Sequence, residues 1–290
     1  MQKETVSENI IRSLVQVCLS ISSWNGKVIS PELSKEMEQV KNAEPGAVEG
    51  RICYLTPFYT KPIGTAESQL RTYFKDATLP WSNDGWRVIS SKKYQELMDG
   101  LTQRKRTFDD TVNVLIDNYD SVYEASKVKT NTLFNADKFP SKKELAAKYG
   151  VYIYRNSVNS VDDVRISGLS DAVVNDIKLN VAKQYQDQIQ ATVLNIIARL
   201  REVAVDAITR TTEGFPKGSK PATLITKINK TCDSLSGLNI TNDSRIDKLI
   251  EKFKSMGKVD AESLRESDSR RTELKSQAQD ILTALDSFKG

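Results

Sequence analysis

The sequence predicts a mainly α fold with a small α+β part: two long helices pairing as an antiparallel coiled-coil hairpin, with a small tip insertion and a small base. Three observations predict it. Apolar residues recur at alternating steps of three and four over residues 94–122, and over 174–207 at similar steps that depart from a strict heptad through 181, 185, 189 and 193; both are the pattern of a helix packing lengthwise on another helix. The first ninety residues instead carry short alternating runs broken by Gly and Pro, the pattern of a small α/β element. The two long apolar seams match in length, and a forty-residue stretch between them, 128–169, would sit at the tip of the hairpin.

In the base, residues 1–90, Val15, Val17, Leu19 and Ile21 alternate with Gln16, Cys18, Ser20 and Ser22, which argues a strand, although 10–18 also reads as a short helix. Asn25-Gly26 signals a turn. Pro31 opens a helix to about Asn42, ended by Glu44-Pro45-Gly46. A second strand is expected at 52–55. Thr65 is expected to cap a helix through Phe74, and a third strand at 85–89 follows a Ser82-Asn83-Asp84-Gly85 turn.

From Ser91 the period changes. Tyr94, Met98, Leu101, Phe108, Val112, Leu115, Tyr119 and Val122 form the first seam, interrupted only by Lys105, whose stem can lie along the seam with its ammonium in water. The insertion holds a short helix with a capping box, Ser141 and Glu144, and an aromatic strand, Val151-Tyr152-Ile153-Tyr154. The second long helix spans 170–213, capped by Ser170 and stopped by Gly214-Phe215-Pro216, with Val174, Ile177, Val181, Tyr185, Ile189, Val193, Ile196, Leu200, Val203 and Ala207 as its stripe. The last part, 214–290, reads as helices over 221–235, 243–256 and 260–288 that pack on the base or extend the bundle.

Composition excludes much chemistry. The 290 residues contain no histidine, which removes Ser-His-Asp and Cys-His catalysis and imidazole metal sites. Cys18, Cys53 and Cys232 are odd in number and far apart, as expected of idle thiols in a reducing compartment. No glycine-rich phosphate loop or nucleophile elbow occurs. The adjacent carboxylates Asp109–Asp110 and Asp162–Asp163 read as solvated surface. No run approaches the roughly 20 apolar residues of a membrane span, and the N-terminus lacks a secretory pattern, so a cytoplasmic, non-enzymatic protein without a cofactor is expected.

The formal net charge of +4 is unevenly placed. Lys127, Lys129, Lys138, Lys142, Lys143 and Lys148 face only Asp137 and Glu144 within 127–150, interleaved with Phe134, Phe139, Tyr149 and then Tyr152 and Tyr154. Lys217, Lys220, Lys227 and Lys230 form a second run with no acid over 215–232. Basic residues beside aromatics can grip single-stranded nucleic acid through phosphate contact and base stacking. The plainer reading is a small aromatic core kept soluble by its lysines, which short tyrosine-containing strands usually indicate.

The Ser22-Ser23-Trp24-Asn25-Gly26 end of the first strand, the Gly85-Trp86-Arg87-Val88-Ile89-Ser90 lead into a long helix carrying Phe108 and Tyr119, the second long helix, and the C-terminal Ser263-Leu264-Arg265-Glu266-Ser267-Asp268-Ser269-Arg270-Arg271 together make up a pattern. It resembles an uncharacterised family of bacteriophage and bacterial proteins often encoded near MoxR-type AAA+ ATPases. The resemblance implies a non-enzymatic protein of the phage-infected bacterial cytoplasm that works with an AAA+ ATPase or in DNA metabolism, and it transfers no catalytic residue.

The expected function is therefore that of an interaction protein: a rigid helical arm for a protein partner, an AAA+ ATPase or a second copy. The alternative is a nucleic-acid-binding protein of phage recombination or replication that uses the two lysine runs. A helical pore-former ranks below both, because Val151-Tyr152-Ile153-Tyr154 is too short to cross a bilayer and lies close to charge.

Overall fold

The computed structural model describes residues 10–82, 84–158, 170–215, 220–236, 238–241 and 243–289. The protein is mainly α-helical with a small antiparallel sheet. In chain order the elements are β1 (Leu14–Ser22), β2 (Lys27–Ile29), α1 (Pro31–Lys41), β3 (Arg51–Cys53), α2 (Pro57–Asp76), β4 (Leu79–Pro80), β5 (Arg87–Ser90) and α3 (Ser91–Asp117). They continue with α4 (Tyr119–Thr130), α5 (Lys142–Ala147), β6 (Gly150–Ser157), α6 (Asp171–Glu213), α7 (Pro221–Leu235), α8 (Ser244–Met256), α9 (Ala261–Glu266) and α10 (Asp268–Asp286). The strand order in the larger sheet is β4-β5-β1-β6, and β2 pairs with β3.

The chain divides into two compact units, one of Met1–Cys18, Lys75–Leu97 and Arg155–Gly290, the other of Leu19–Phe74 and Met98–Tyr154. Neither is one of the sequential stretches 1–90, 91–213 and 214–290 read from the sequence. Apolar pattern reports which face of an element is buried, and leaves open which distant element buries it.

In the first unit, β1 pairs antiparallel with β5, Leu14 opposite Ser90 and Val17 opposite Arg87, and β5 pairs with β4. Four helices, α6, α7, α8 and α10, close a ring in which each packs on two others. α6 and α7 run antiparallel: Arg210 meets Thr223, and one turn earlier Asp206 meets Lys227. Leu224, Ile228, Cys232 and Leu235 of α7 and Ile246, Leu249, Ile250 and Phe253 of α8 supply buried stripes at helical spacing. Within this unit α10 lies along α6. Ala204 and Ala207 on α6 and Ala278 on α10 are fully buried, and such small residues let two helix backbones approach closely. The single helix expected over 260–288 is interrupted at Ser267, which has extended backbone angles and accepts a hydrogen bond from the Arg270 N–H at 3.4 Å. Arg271 covers the freed carbonyls of Leu264 and Arg265 at 2.8 and 2.9 Å.

In the second unit, α1 begins and ends as its sequence signals, with Ser30 as N-cap and Asn42 as a left-handed C-cap at φ 48°. The helix expected to start at Thr65 starts at Pro57 instead, and the Thr65 hydroxyl donates to the Lys61 carbonyl at 3.0 Å rather than capping. α2 meets α3 where Gly100 faces Tyr73: a Cβ at position 100 would lie 2.0 Å from the tyrosine oxygen, and the Arg104 guanidinium covers the same ring at 3.8 Å. The seam of α3 buries Leu101, Phe108, Val112 and Leu115 as predicted, and Lys105 keeps its ammonium in water, 2.5 Å from Asp109. The helix breaks at Asn118, whose side-chain amide donates to the Val114 carbonyl at 2.7 Å in competition with the backbone.

The part of the expected tip that falls in this unit packs against early residues. Phe139 lies 5.3–6.4 Å, centroid to centroid, from the rings of Trp24, Tyr54, Tyr119, Tyr123 and Phe134. Tyr149 donates to the Trp24 carbonyl at 2.7 Å, and Ser126 to that of Tyr54 at 3.1 Å. Asp162 and Asp163 lie outside the described residues. Among the described residues, no helix is long and apolar enough to cross a membrane, and no group of three or more His, Cys, Asp or Glu could hold a metal ion.

Candidate functional site

The lysines that charge pattern singles out in the second unit mostly have structural partners. Lys127 lies 2.7 Å from Glu124 and covers the Tyr123 ring at 4.5 Å, and its bond to Glu124 holds its pKa above the ordinary lysine value. Lys129 donates to the Leu55 carbonyl at 2.6 Å and touches the Cys53 sulfur at 3.4 Å, fixing the chain after β3 to the end of α4. Lys138 pairs with Glu32 at 3.3 Å. Bonding to its own backbone N–H, then to the Ser30 hydroxyl and to Lys138, holds the Glu32 carboxyl down at about 2. Lys148 sits 5.7 Å above the Trp24 ring.

What remains free in that unit is narrower. Lys142 and Lys143 open α5, are exposed, and make no ion pair among the described residues. Tyr152 and Tyr154 project from one face of β6, 52% and 53% exposed, and the Tyr152 ring lies over Gly150. Phe134, Phe139 and Tyr149 instead belong to the aromatic core around Phe139.

The second lysine run leads to a cavity in the first unit. Lys217 lies outside the described residues. Lys220 is the exposed N-cap residue of α7, a position the sequence does not favour for lysine. Lys227 bridges Glu202 at 3.0 Å and Asp206 at 3.3 Å. Partial burial works against its charge, but the two carboxylates overcome this and hold its pKa above the ordinary value. Burial likewise pushes the Asp206 carboxyl up, while Arg210 and Lys227 hold it below the usual range.

Lys227 and Lys230 both line a cleft of about 470 Å³ along the outer face of the α6–α7 pair. Its wall on α7 is polar because Thr226, Lys230 and Ser234 fall away from the buried Leu224, Ile228 and Cys232, with Thr231 at the edge of that buried face. α6 contributes Arg199 and Glu202, and Asp76 comes from the end of α2. Arg199 is committed: its guanidinium donates to the carbonyls of Asp76 at 3.1 Å, Lys75 at 2.9 Å and Thr78 at 3.2 Å. Lys230 and the hydroxyls of Thr226, Thr231 and Ser234 have no hydrogen-bond partner among the described residues, so the spare donors of the cleft lie on α7. The thiol of Cys232, on the buried face of α7, is pushed up to about 12 by burial and offers no nucleophile here.

Arg199, Glu202 and Asp76 are not marked by any charge run. The one sequence signal for the cleft is the hydroxyl content of α7, with Thr223, Thr226, Thr231 and Ser234 in one helix. No family model, curated protein or solved structure matches this chain.

Proposed function

We propose that this is an interaction protein whose rigid arm, the first half of α6, pairs with a helix of a protein partner. One observation carries the reading. Over residues 171–191 no residue of α6 is fully buried, and Val174, Ile177, Val181, Tyr185 and Ile189 form a half-buried apolar stripe at spacings of three and four, with Tyr185 against Trp81 at 5.9 Å. Leu179, on the same stretch, is 72% exposed. From Thr192 onward the helix is anchored in the bundle, so the arm has a fixed root. At ~1.5 Å per residue the arm presents about 30 Å of helix. A helix of this pattern can join a partner helix as one strand of a coiled coil. The resemblance in sequence makes a MoxR-type AAA+ ATPase the first partner to test and a second copy the next.

Sedimentation velocity of the purified protein, alone and with a purified MoxR-type ATPase from the same genome, tests this. Association that is lost in Ile177→Asp and in Val181→Asp, with unchanged circular dichroism, supports the arm. A monomer that binds neither partner overturns it.

A second reading rests on Tyr152 and Tyr154, which share one exposed face about 7 Å apart by strand geometry, with Lys142 and Lys143 free in the same unit. This is a stacking surface with nearby charge, suited to single-stranded nucleic acid. Binding of single-stranded DNA that weakens steeply with salt, and less steeply in Lys142→Glu/Lys143→Glu, would support it. The absence of binding at low salt would remove it.

A further inference from the structure

We infer that the α6–α7 cleft binds a small phosphate monoester whose body carries hydroxyl groups, a sugar phosphate in its simplest form. The inference stands apart from the helical arm. Charge is the first step. Within the cleft Glu202 is matched by Lys227 at 3.0 Å, and Asp76 is matched electrostatically by Arg87 and Arg199. Lys230 is then the unmatched cation among the described lining residues. On the turn around it, Thr231 and Ser234 hold hydroxyls without partners.

An ammonium with three N–H donors and two neighbouring hydroxyls presents more donors than a carboxylate can accept at one point, and suits the three terminal oxygens of a phosphate. The opposite wall, Glu202 and Asp76, supplies carboxylate oxygens that accept from ligand hydroxyls. Val203 and Leu235 are the apolar contributions and no aromatic ring lines the cleft, which leaves nothing for a nucleobase to stack on. The volume of about 470 Å³ lies within the range of small-molecule sites.

The test is isothermal titration of the full chain with glucose 6-phosphate, glucose, gluconate and adenosine monophosphate, repeated on Lys230→Gln and Ser234→Ala. Lys230 is exposed and Ser234 half-buried, so both variants are expected to keep the wild-type melting curve. The expected result is saturable binding of glucose 6-phosphate, at least about tenfold weaker for glucose and gluconate, and at least about tenfold weaker in Lys230→Gln. Absence of heat with glucose 6-phosphate, equal binding of gluconate, tighter binding of the nucleotide, or unchanged binding in a folded Lys230→Gln would each overturn the inference.

Discussion

Arg87 and Arg199 converge on one helix end: each donates through Nη2 to the carbonyls of both Lys75 and Thr78, at 3.1 and 2.7 Å from Arg87 and at 2.9 and 3.2 Å from Arg199. The last carbonyls of α2 have no partner within the helix, and the negative end of its dipole lies there, so two cations meet both needs. Their closeness has a cost. Burial, and then the charge of Arg199, draw the Arg87 guanidinium down to about 10, with Asp76 opposing.

Removing one of the pair strips hydrogen bonds from half-buried carbonyls but relieves the survivor. Arg199→Ala is expected to cost about 2–3 kcal/mol, the range for hydrogen bonds made by a charged group. The double variant Arg87→Ala/Arg199→Ala should cost more than the two single losses together, because each single loss is offset by relief of the same repulsion and leaves the shared carbonyls one donor, whereas the double loss orphans them. Urea denaturation of the three variants measures this. Strict additivity would mean that the two guanidinium groups act independently.

Gly100 sits in the middle of α3, where alanine would ordinarily gain about 1 kcal/mol in helix propensity. Here the added methyl would run into Tyr73, its Cβ 2.3 Å from the ring Cζ, and the Arg104 guanidinium stacked on that ring at 3.8 Å hinders its escape. Gly100→Ala is therefore expected to destabilise, by about 1–2 kcal/mol as an overpacking defect. Tyr73→Ala in the same background should reverse the sign of the alanine effect. A stabilised Gly100→Ala single variant would show that the α2–α3 crossing is looser than the structure has it.

The thiols should separate by reactivity. Cys18 and Cys53 are partly exposed and Cys232 is buried, with its pKa pushed up to about 12. Two thiols per chain should react with a disulfide reagent in native buffer, and the third only on unfolding. The raised pKa also sets a pH dependence. As pH rises above about 9 the unfolded thiol ionises while the folded one keeps its proton, so the unfolded state binds fewer protons and stability falls until the folded group titrates near 12. Cys232→Ala should flatten that part of the stability profile.

Glu32 gives the opposite slope. Its carboxyl is held at about 2 by its own backbone N–H, the Ser30 hydroxyl and Lys138, well below its ordinary 4.5. The contribution is fully present above about 4.5, and is lost as pH falls toward 2 because the unfolded state takes up the proton first. Glu32→Gln should lower stability at neutral pH and shallow the acid limb of the denaturation midpoint. An acid limb identical to wild type would mean that the Ser30–Glu32–Lys138 contacts do not persist in solution.

Local signals carried most of the secondary structure. Pro31 and Asn42 bound α1, Ser141 and Glu144 form the capping box of α5, and Pro221 to Leu235 delimits α7 in both sequence and structure. Misses arose where a side chain competed with the backbone, as at Asn118 and Ser267, or where a proline was tolerated inside a helix, as Pro62 is in α2. Partner choice was not legible. The α6 stripe is equally compatible with α3 or α10, and the buried alanines that favour α10 carry little hydrophobic signal. Charge pattern found Lys227 and Lys230 in the cleft but could not tell them from Lys129 and Lys138, whose positions are set by Leu55 and Glu32, far away in sequence.

Two leucines on one helix test the division of α6 into root and arm. Leu200 is fully buried in the bundle, whereas Leu179 is 72% exposed. Truncating a buried leucine removes its transfer free energy and leaves a cavity, so Leu200→Ala should cost about 3–4 kcal/mol. Leu179→Ala removes a side chain that water already reaches and replaces it with the best helix former, so its effect should stay within about 0.5 kcal/mol. Hydrogen exchange should show the same boundary. Amides over 171–184 have little beyond the helix itself to protect them and should exchange by local fraying, while those from Thr192 onward should open with the bundle. A partner that occupies the arm would slow exchange over 171–191 alone, and Val181→Asp would remove that protection without altering exchange in the bundle. If Leu179→Ala proved as costly as Leu200→Ala in the isolated protein, the arm would already be packed within the chain or against a second copy, and the concentration dependence of the loss would say which.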